Sequence, residues 1–108
     1  MIRATTPPHY FQFPADKQFD KVLITYSQSG KIILEKTEND LIPSPDGGGW
    51  YYYTLSESET KLFKKGYCEL QVRATFDDHA FATDIFVLDV REVLDDQNLL
   101  EEDDSDED

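Results

Sequence analysis

One cysteine, Cys68, stands in 108 residues, so no disulfide can close within the chain. No apolar run approaches the roughly 18 residues that a membrane-spanning helix needs. Met1 to Phe13 hold no signal-type apolar stretch and no small-residue cleavage site, so synthesis and folding in the cytoplasm are expected. Basic side chains are scarce: 10 Lys and Arg against 23 Asp and Glu, a formal net charge of −13. No basic patch of the size that nucleic-acid binding requires is visible. The two histidines, His9 and His79, lie far apart in the chain. His79 adjoins Asp77 and Asp78, but three adjacent turn residues rarely converge on one ion, so no metal site is expected. A Gly-x-Ser-x-Gly turn is absent, and no serine or cysteine has a recognisable base partner. Gly47-Gly48-Gly49 is followed by no lysine and opens no helix, so it reads as a flexible turn and not a phosphate loop. Catalytic, cofactor-binding and metal residues are therefore expected to be none.

What the chain does hold is aromatic side chains, at 13%, and strand periodicity. Between Tyr67 and Phe76, Cys68, Leu70, Val72, Ala74 and Phe76 alternate with polar neighbours, the period of a half-buried strand. A turn at Asp77-Asp78-His79 leads into Ala80 to Arg91, apolar on nearly both faces. That pattern predicts a single strand, more central in the sheet than its partner. Cys68 falls on the inward face, where it reads as a small hydrophobe and not a reactive thiol.

Earlier segments follow the same rule. His9 to Phe13 alternates and is stopped by Pro14. Asp20 to Gln28 and Lys31 to Glu38 form a hairpin about Ser29-Gly30, glycine supplying the positive φ of a tight turn. Asn39 to Gly49 is a Pro/Asp/Gly loop. Trp50 to Leu55 is a strand with Trp50, Tyr52 and Thr54 opposite Tyr51, Tyr53 and Leu55. Those rings serve a core face or a binding face, since Tyr and Trp are enriched at interfaces. Trp50, Tyr51, Tyr52 and Tyr53 are accordingly the candidate partner-binding residues, alternation allowing only one pair of them to point outward. Ser56 to Lys65 is the one helix candidate, with a Ser56/Glu59 capping box, Leu62 and Phe63 as anchors and Gly66 as its stop.

The charge is unevenly placed. Residues 92–108 hold ten acidic groups and no basic one, leaving residues 1–91 close to neutral. A folded domain over 1–94 and an acidic, disordered tail over 95–108 are expected. Six to seven antiparallel strands, one short helix and Pro/Gly turns at roughly ten-residue spacing suggest an all-β, immunoglobulin-like β-sandwich.

The stretches Met-Ile-Arg-Ala-Thr-Thr-Pro-Pro-His (1–9), Ile-Thr-Tyr-Ser-Gln-Ser-Gly-Lys (24–31), Leu-Glu-Lys (34–36), Leu-Ser-Glu-Ser-Glu-Thr (55–60), Gln-Val-Arg (71–73) and Thr-Asp-Ile (83–85) resemble small proteins of phage and prophage tail modules. These are similar in turn to the N-terminal immunoglobulin-like domain of phage upper-baseplate proteins. The resemblance spans about residues 1–94. Ala4 stands where such proteins tend to have glycine, and Asp77-Asp78 where they have Asp-Gly. It implies a non-enzymatic tail or baseplate structural or assembly module without cofactors. Its partners would be other phage tail proteins or further copies of itself, with neither nucleic acid nor membrane. It would reside in the host cytoplasm during assembly and then in the virion. The contrasting reading is an acidic inhibitor or DNA mimic occupying a basic groove, toward which −13 would steer it.

Overall fold

The computed structural model describes residues 1–100; the acidic run expected to be disordered, 101–108, lies outside them. Eight strands build two antiparallel sheets. They are β1 (Pro8–Gln12), β2 (Lys21–Gln28), β3 (Lys31–Thr37), β4 (Ile42–Pro43), β5 (Trp50–Thr54), β6 (Gly66–Phe76), β7 (His79–Ala82) and β8 (Phe86–Val90). The smaller sheet has the order β1-β5-β4. The larger runs β3-β2-β6, with β7 and β8 end to end along the far edge of β6. The all-β expectation holds. The strand order is that of an immunoglobulin-type sandwich, in which one sheet reads A-B-E-D and the other G-F-C with an added C′. β1-β5-β4 takes the B-E-D places, and among the described residues no strand takes A beside β1, Ile2 making only a single parallel bridge to Arg91.

The alternating pattern of β6 is realised without exception: Cys68, Leu70, Val72, Ala74 and Phe76 are all buried. They meet Val22, Ile24 and Tyr26 of β2 across the same face, with Tyr53, Leu55, Phe63 and Val90 completing the core. Burying a large apolar side chain contributes about 1.5–3 kcal/mol, so this seam holds the two sheets together. Two type I′ turns close the hairpins. Ser29 and Gly30 have φ of 51° and 77°, and Asp77 and Asp78 have 49° and 67°. Ala4 also sits at φ 60°, the conformation that glycine adopts without cost.

Two expectations are corrected. Residues 80–91 are not one central strand but two edge pieces. β7 pairs with residues 73–76 of β6 and β8 with residues 66–70, and three residues, Thr83 to Ile85, oppose two, Gln71 and Val72. This is a β-bulge, held by Val72 N–H donating to Thr83 Oγ1 (3.1 Å) and Thr83 N–H donating to the Val72 carbonyl (2.9 Å). Central position belongs to β6, flanked on both sides. Second, the helix is one turn, α1 (Glu57–Thr60). Its capping box forms as expected, Ser56 and Glu59 each bonding the other's N–H. It ends as the bonds tighten to the i−3 type, Leu62 N–H donating to the Glu59 carbonyl (3.1 Å) and Phe63 N–H to the Thr60 carbonyl (3.3 Å), and Arg3 donates to the Lys61 carbonyl (3.1 Å) and the Phe63 carbonyl (2.7 Å) just beyond. Phe63 is buried while Leu62 is exposed. Residues 98–100 are tied to the body. The Glu57 carboxylate accepts the N–H groups of Leu99 and Leu100, both at 2.7 Å, and Lys61 Nζ donates to Asn98 Oδ1 (3.1 Å).

Candidate partner-binding site

The two sheets do not cover each other completely. β5 lies over β2 and β3, Tyr53 meeting Tyr26 and Lys36, but beyond β1 the sheets part, and Phe81 of β7 and Phe86 of β8 stay half exposed while β6 at the bottom is nearly covered. The result is a groove of about 930 Å³. Its floor is Leu70, Val72, Ala74 and Phe76. Phe11 and Phe13 of β1 form one wall, and Phe81, Phe86 and Leu88 the other. Trp50, Tyr10 and Gln12 stand at the rim. Among the described residues Lys17 is the one charged lining residue, and no carboxylate lines the groove. In a chain with 23 acidic groups, an acid-free concavity of this composition is suited to apolar contact and not to cations. Phe86 and Val87 remain 52% and 62% exposed, a contiguous apolar lip of the kind that marks interaction surfaces.

β1 also offers an open backbone edge. The Phe13 N–H donates to the Gly49 carbonyl (2.8 Å) and the Leu55 N–H to the Pro7 carbonyl (3.0 Å). With the register Phe11↔Tyr51 and His9↔Tyr53, odd-numbered residues of β1 face β5. By the alternation of antiparallel ladders, Pro8, Tyr10 and Gln12 turn their backbone groups away from it. Gly49 makes this approach possible: a Cβ there would lie 2.1 Å from the Phe13 carbonyl oxygen.

The four aromatic candidates are divided by the fold. Tyr53 is 3% exposed. Tyr51 packs edge-on against Phe13 and Phe19, with ring centroids 5.7 and 5.0 Å away. Tyr52 stacks on Tyr10 (5.2 Å) on the opposite, outer face of the sheet. Trp50 alone joins the groove. Sequence reasoning missed Phe81, Phe86 and Val87. Their signal was present, as apolar residues on both faces of 80–91, but it resembles that of a buried central strand.

At the inner end of the groove, His9 joins a buried polar chain. Its Nδ1 lies 2.6 Å from the Tyr26 hydroxyl, which lies 2.6 Å from the Tyr53 hydroxyl. Burial, helped by the N-terminal amine, holds His9 below the usual imidazole range, so the ring is neutral. The Tyr26 hydroxyl thus bonds both the ring nitrogen and the Tyr53 hydroxyl. Burial pushes both tyrosines well above the phenol range. Lys36 stands over the Tyr53 ring (5.7 Å) and pairs with Glu59. Burial opposes ionisation of Glu59, but the Lys36 ammonium and the Ser56 N–H outweigh it and hold the carboxyl below its usual range. Among the described residues no buried side-chain polar atom is unpaired, so the chain is a satisfied core network. Cys68 is fully buried and burial raises its thiol.

Among the described residues no three His, Cys, Asp or Glu side chains are placed to share a metal ion, and no helix is long and apolar enough to cross a membrane. Comparison with protein-family models, curated proteins and solved structures finds no match to this chain.

Proposed function

We propose that this chain is a non-enzymatic structural or assembly module of a phage or prophage tail or baseplate, working by protein–protein contact. The observation that carries the contact reading is the apolar, acid-free groove beside an unpaired strand edge. The resemblance of residues 1–94 to tail-module proteins supplies the setting. Such a module would fold in the host cytoplasm and pass into the virion with its partner. Its acidic excess lies in residues 92–108 and not in the groove, which favours this reading over an acidic inhibitor whose carboxylates must be fixed on the binding surface.

The test is capture of purified tail and baseplate components by full-length protein, by a form ending at Leu100 and by Phe86→Glu, at low and high salt. Capture that survives truncation and salt but is lost in Phe86→Glu supports the proposal. Phe86 is half exposed, so the substitution leaves the fold intact. Capture lost on truncation, or on adding salt, overturns it, because ion release governs an acidic mimic.

A further inference from the structure

We infer that the groove is the vacant place of a first strand and that an extended segment of a partner protein fills it, pairing with the free edge of β1. The inference rests on the contact reading above and names the form of the partner.

Three observations lead there. The smaller sheet lacks the strand that flanks β1 in an immunoglobulin-type order, and the groove lies where that strand would sit. The outward backbone groups of Pro8, Tyr10 and Gln12 present two N–H donors and three carbonyl acceptors, since proline has no N–H. The opposite edge is interrupted by the bulge at Thr83 to Ile85, a device that discourages pairing, so β1 is the edge that can be extended. Pro8 and Pro14 bracket it and limit the ladder to about five residues, a usual strand length.

The described chain does not fill the place itself. Met1 to Arg3 are bound at the far end of β8: the N-terminal amine donates to the Asp89 carbonyl (2.8 Å), Arg91 N–H to the Met1 carbonyl (2.8 Å) and Arg3 N–H to the Arg91 carbonyl (3.0 Å). Leu99 and Leu100 are held by Glu57. Residues 101–108 contain no apolar side chain. The partner segment must therefore carry apolar side chains at alternate positions, to cover the half-exposed Phe81 and Phe86 above the floor of β6. Lys17 and Pro14 lie beyond the C-terminal end of β1, so a strand antiparallel to β1 begins beside Lys17. Charge complementarity places an acidic residue just before its apolar run. Backbone pairing would supply affinity and the alternate side chains specificity, as in other strand additions.

The experiment uses the full chain and a displayed library of random peptides of about eight residues. Selected peptides are expected to alternate apolar and polar residues. A synthetic peptide of that pattern should slow amide exchange at Tyr10 and Gln12 by about tenfold or more and shift the fluorescence of Trp50, the one tryptophan. Methylating those peptide nitrogens that pair with β1 should abolish binding without altering the protein. An Asp placed before the apolar run should bind more tightly than a Lys. Selection of peptides without alternation, an unchanged exchange rate at Tyr10 and Gln12, or indifference to N-methylation overturns the inference. So does occupation of the groove by a second copy, seen as a dimer in light scattering that protects the same amides without peptide. If strand binding fails while tail components are still captured, only this inference falls. If strands bind and tail components do not, the tail setting falls and the groove assignment stands.

Discussion

Removing the Tyr26 hydroxyl probes the network that fixes β1 against β2. Tyr26 is fully buried, and its oxygen is the middle member of the chain, 2.6 Å from His9 Nδ1 and 2.6 Å from the Tyr53 oxygen. Tyr26→Phe keeps the ring and its edge-on contact with Phe63 (5.5 Å). It leaves His9 Nδ1 and the Tyr53 hydroxyl facing an oxygen-sized gap. A lost hydrogen bond costs about 0.5–1.5 kcal/mol, and a buried polar group left unpaired about 1–3 kcal/mol. The expected destabilisation is therefore about 2–3 kcal/mol. Tyr53→Phe removes an end member, and Tyr26 still bonds His9, so its cost should be about 1 kcal/mol. For a domain of this size, 1 kcal/mol corresponds to about 4–8 °C in Tm. Urea unfolding of both variants and of the double variant is the assay. The double variant should cost less than the sum, because the two share one bond. Equal costs for the two single variants, or strict additivity, would refute the chain as drawn.

Four further outcomes are expected. Because His9 titrates below its usual range when folded, the unfolded state binds the extra proton first. Stability should thus rise with pH from the folded-state value up to about 6.5, and His9→Gln should flatten that slope in pH-dependent urea melts. Ending the chain at Leu100 should move Tm by no more than a few degrees, since solvated charges contribute little, whereas Glu57→Ala should cost about 2–3 kcal/mol by removing the acceptor of the Leu99 and Leu100 N–H groups; calorimetry separates the two. Gly49→Ala should destabilise by about 2–4 kcal/mol, since its φ is +81° and the added methyl would strike the Phe13 carbonyl, while Ala4→Gly should stabilise by about 0.5–1 kcal/mol by relieving a positive φ; thermal melts of both report the sign. Cys68 should resist thiol reagents until the protein unfolds, and rapid native-state labelling would show its strand misplaced.

Local physics settled much of this protein. A strand's side chains alternate whatever it pairs with, so β2 and β6 declared their inward faces. The turns at Ser29-Gly30 and Asp77-Asp78 and the Ser56/Glu59 cap are decided within a few residues, and each forms as its sequence indicates. β3 shows the limit: a register shift between Tyr26 and Ser27 brings Ile33 and Leu34 together against the core, where alternation had parted them.

The groove was decided at longer range. A run that is apolar on both faces reads the same whether it is enclosed by two strands or lies at an edge beside a groove. Only the packing shows that β7 and β8 are an edge and that Phe81 and Phe86 face open space. Likewise the four rings from Trp50 to Tyr53 are chemically alike in sequence. β1 on one side and Phe19 beneath assign Tyr51 and Tyr53 to the core and leave Trp50 at the rim. The helix length was not legible locally either: one turn forms, and Arg3, distant in sequence, binds the Lys61 and Phe63 carbonyls that follow it. Periodicity records which side of a strand is apolar, and only the tertiary structure decides what, if anything, covers it.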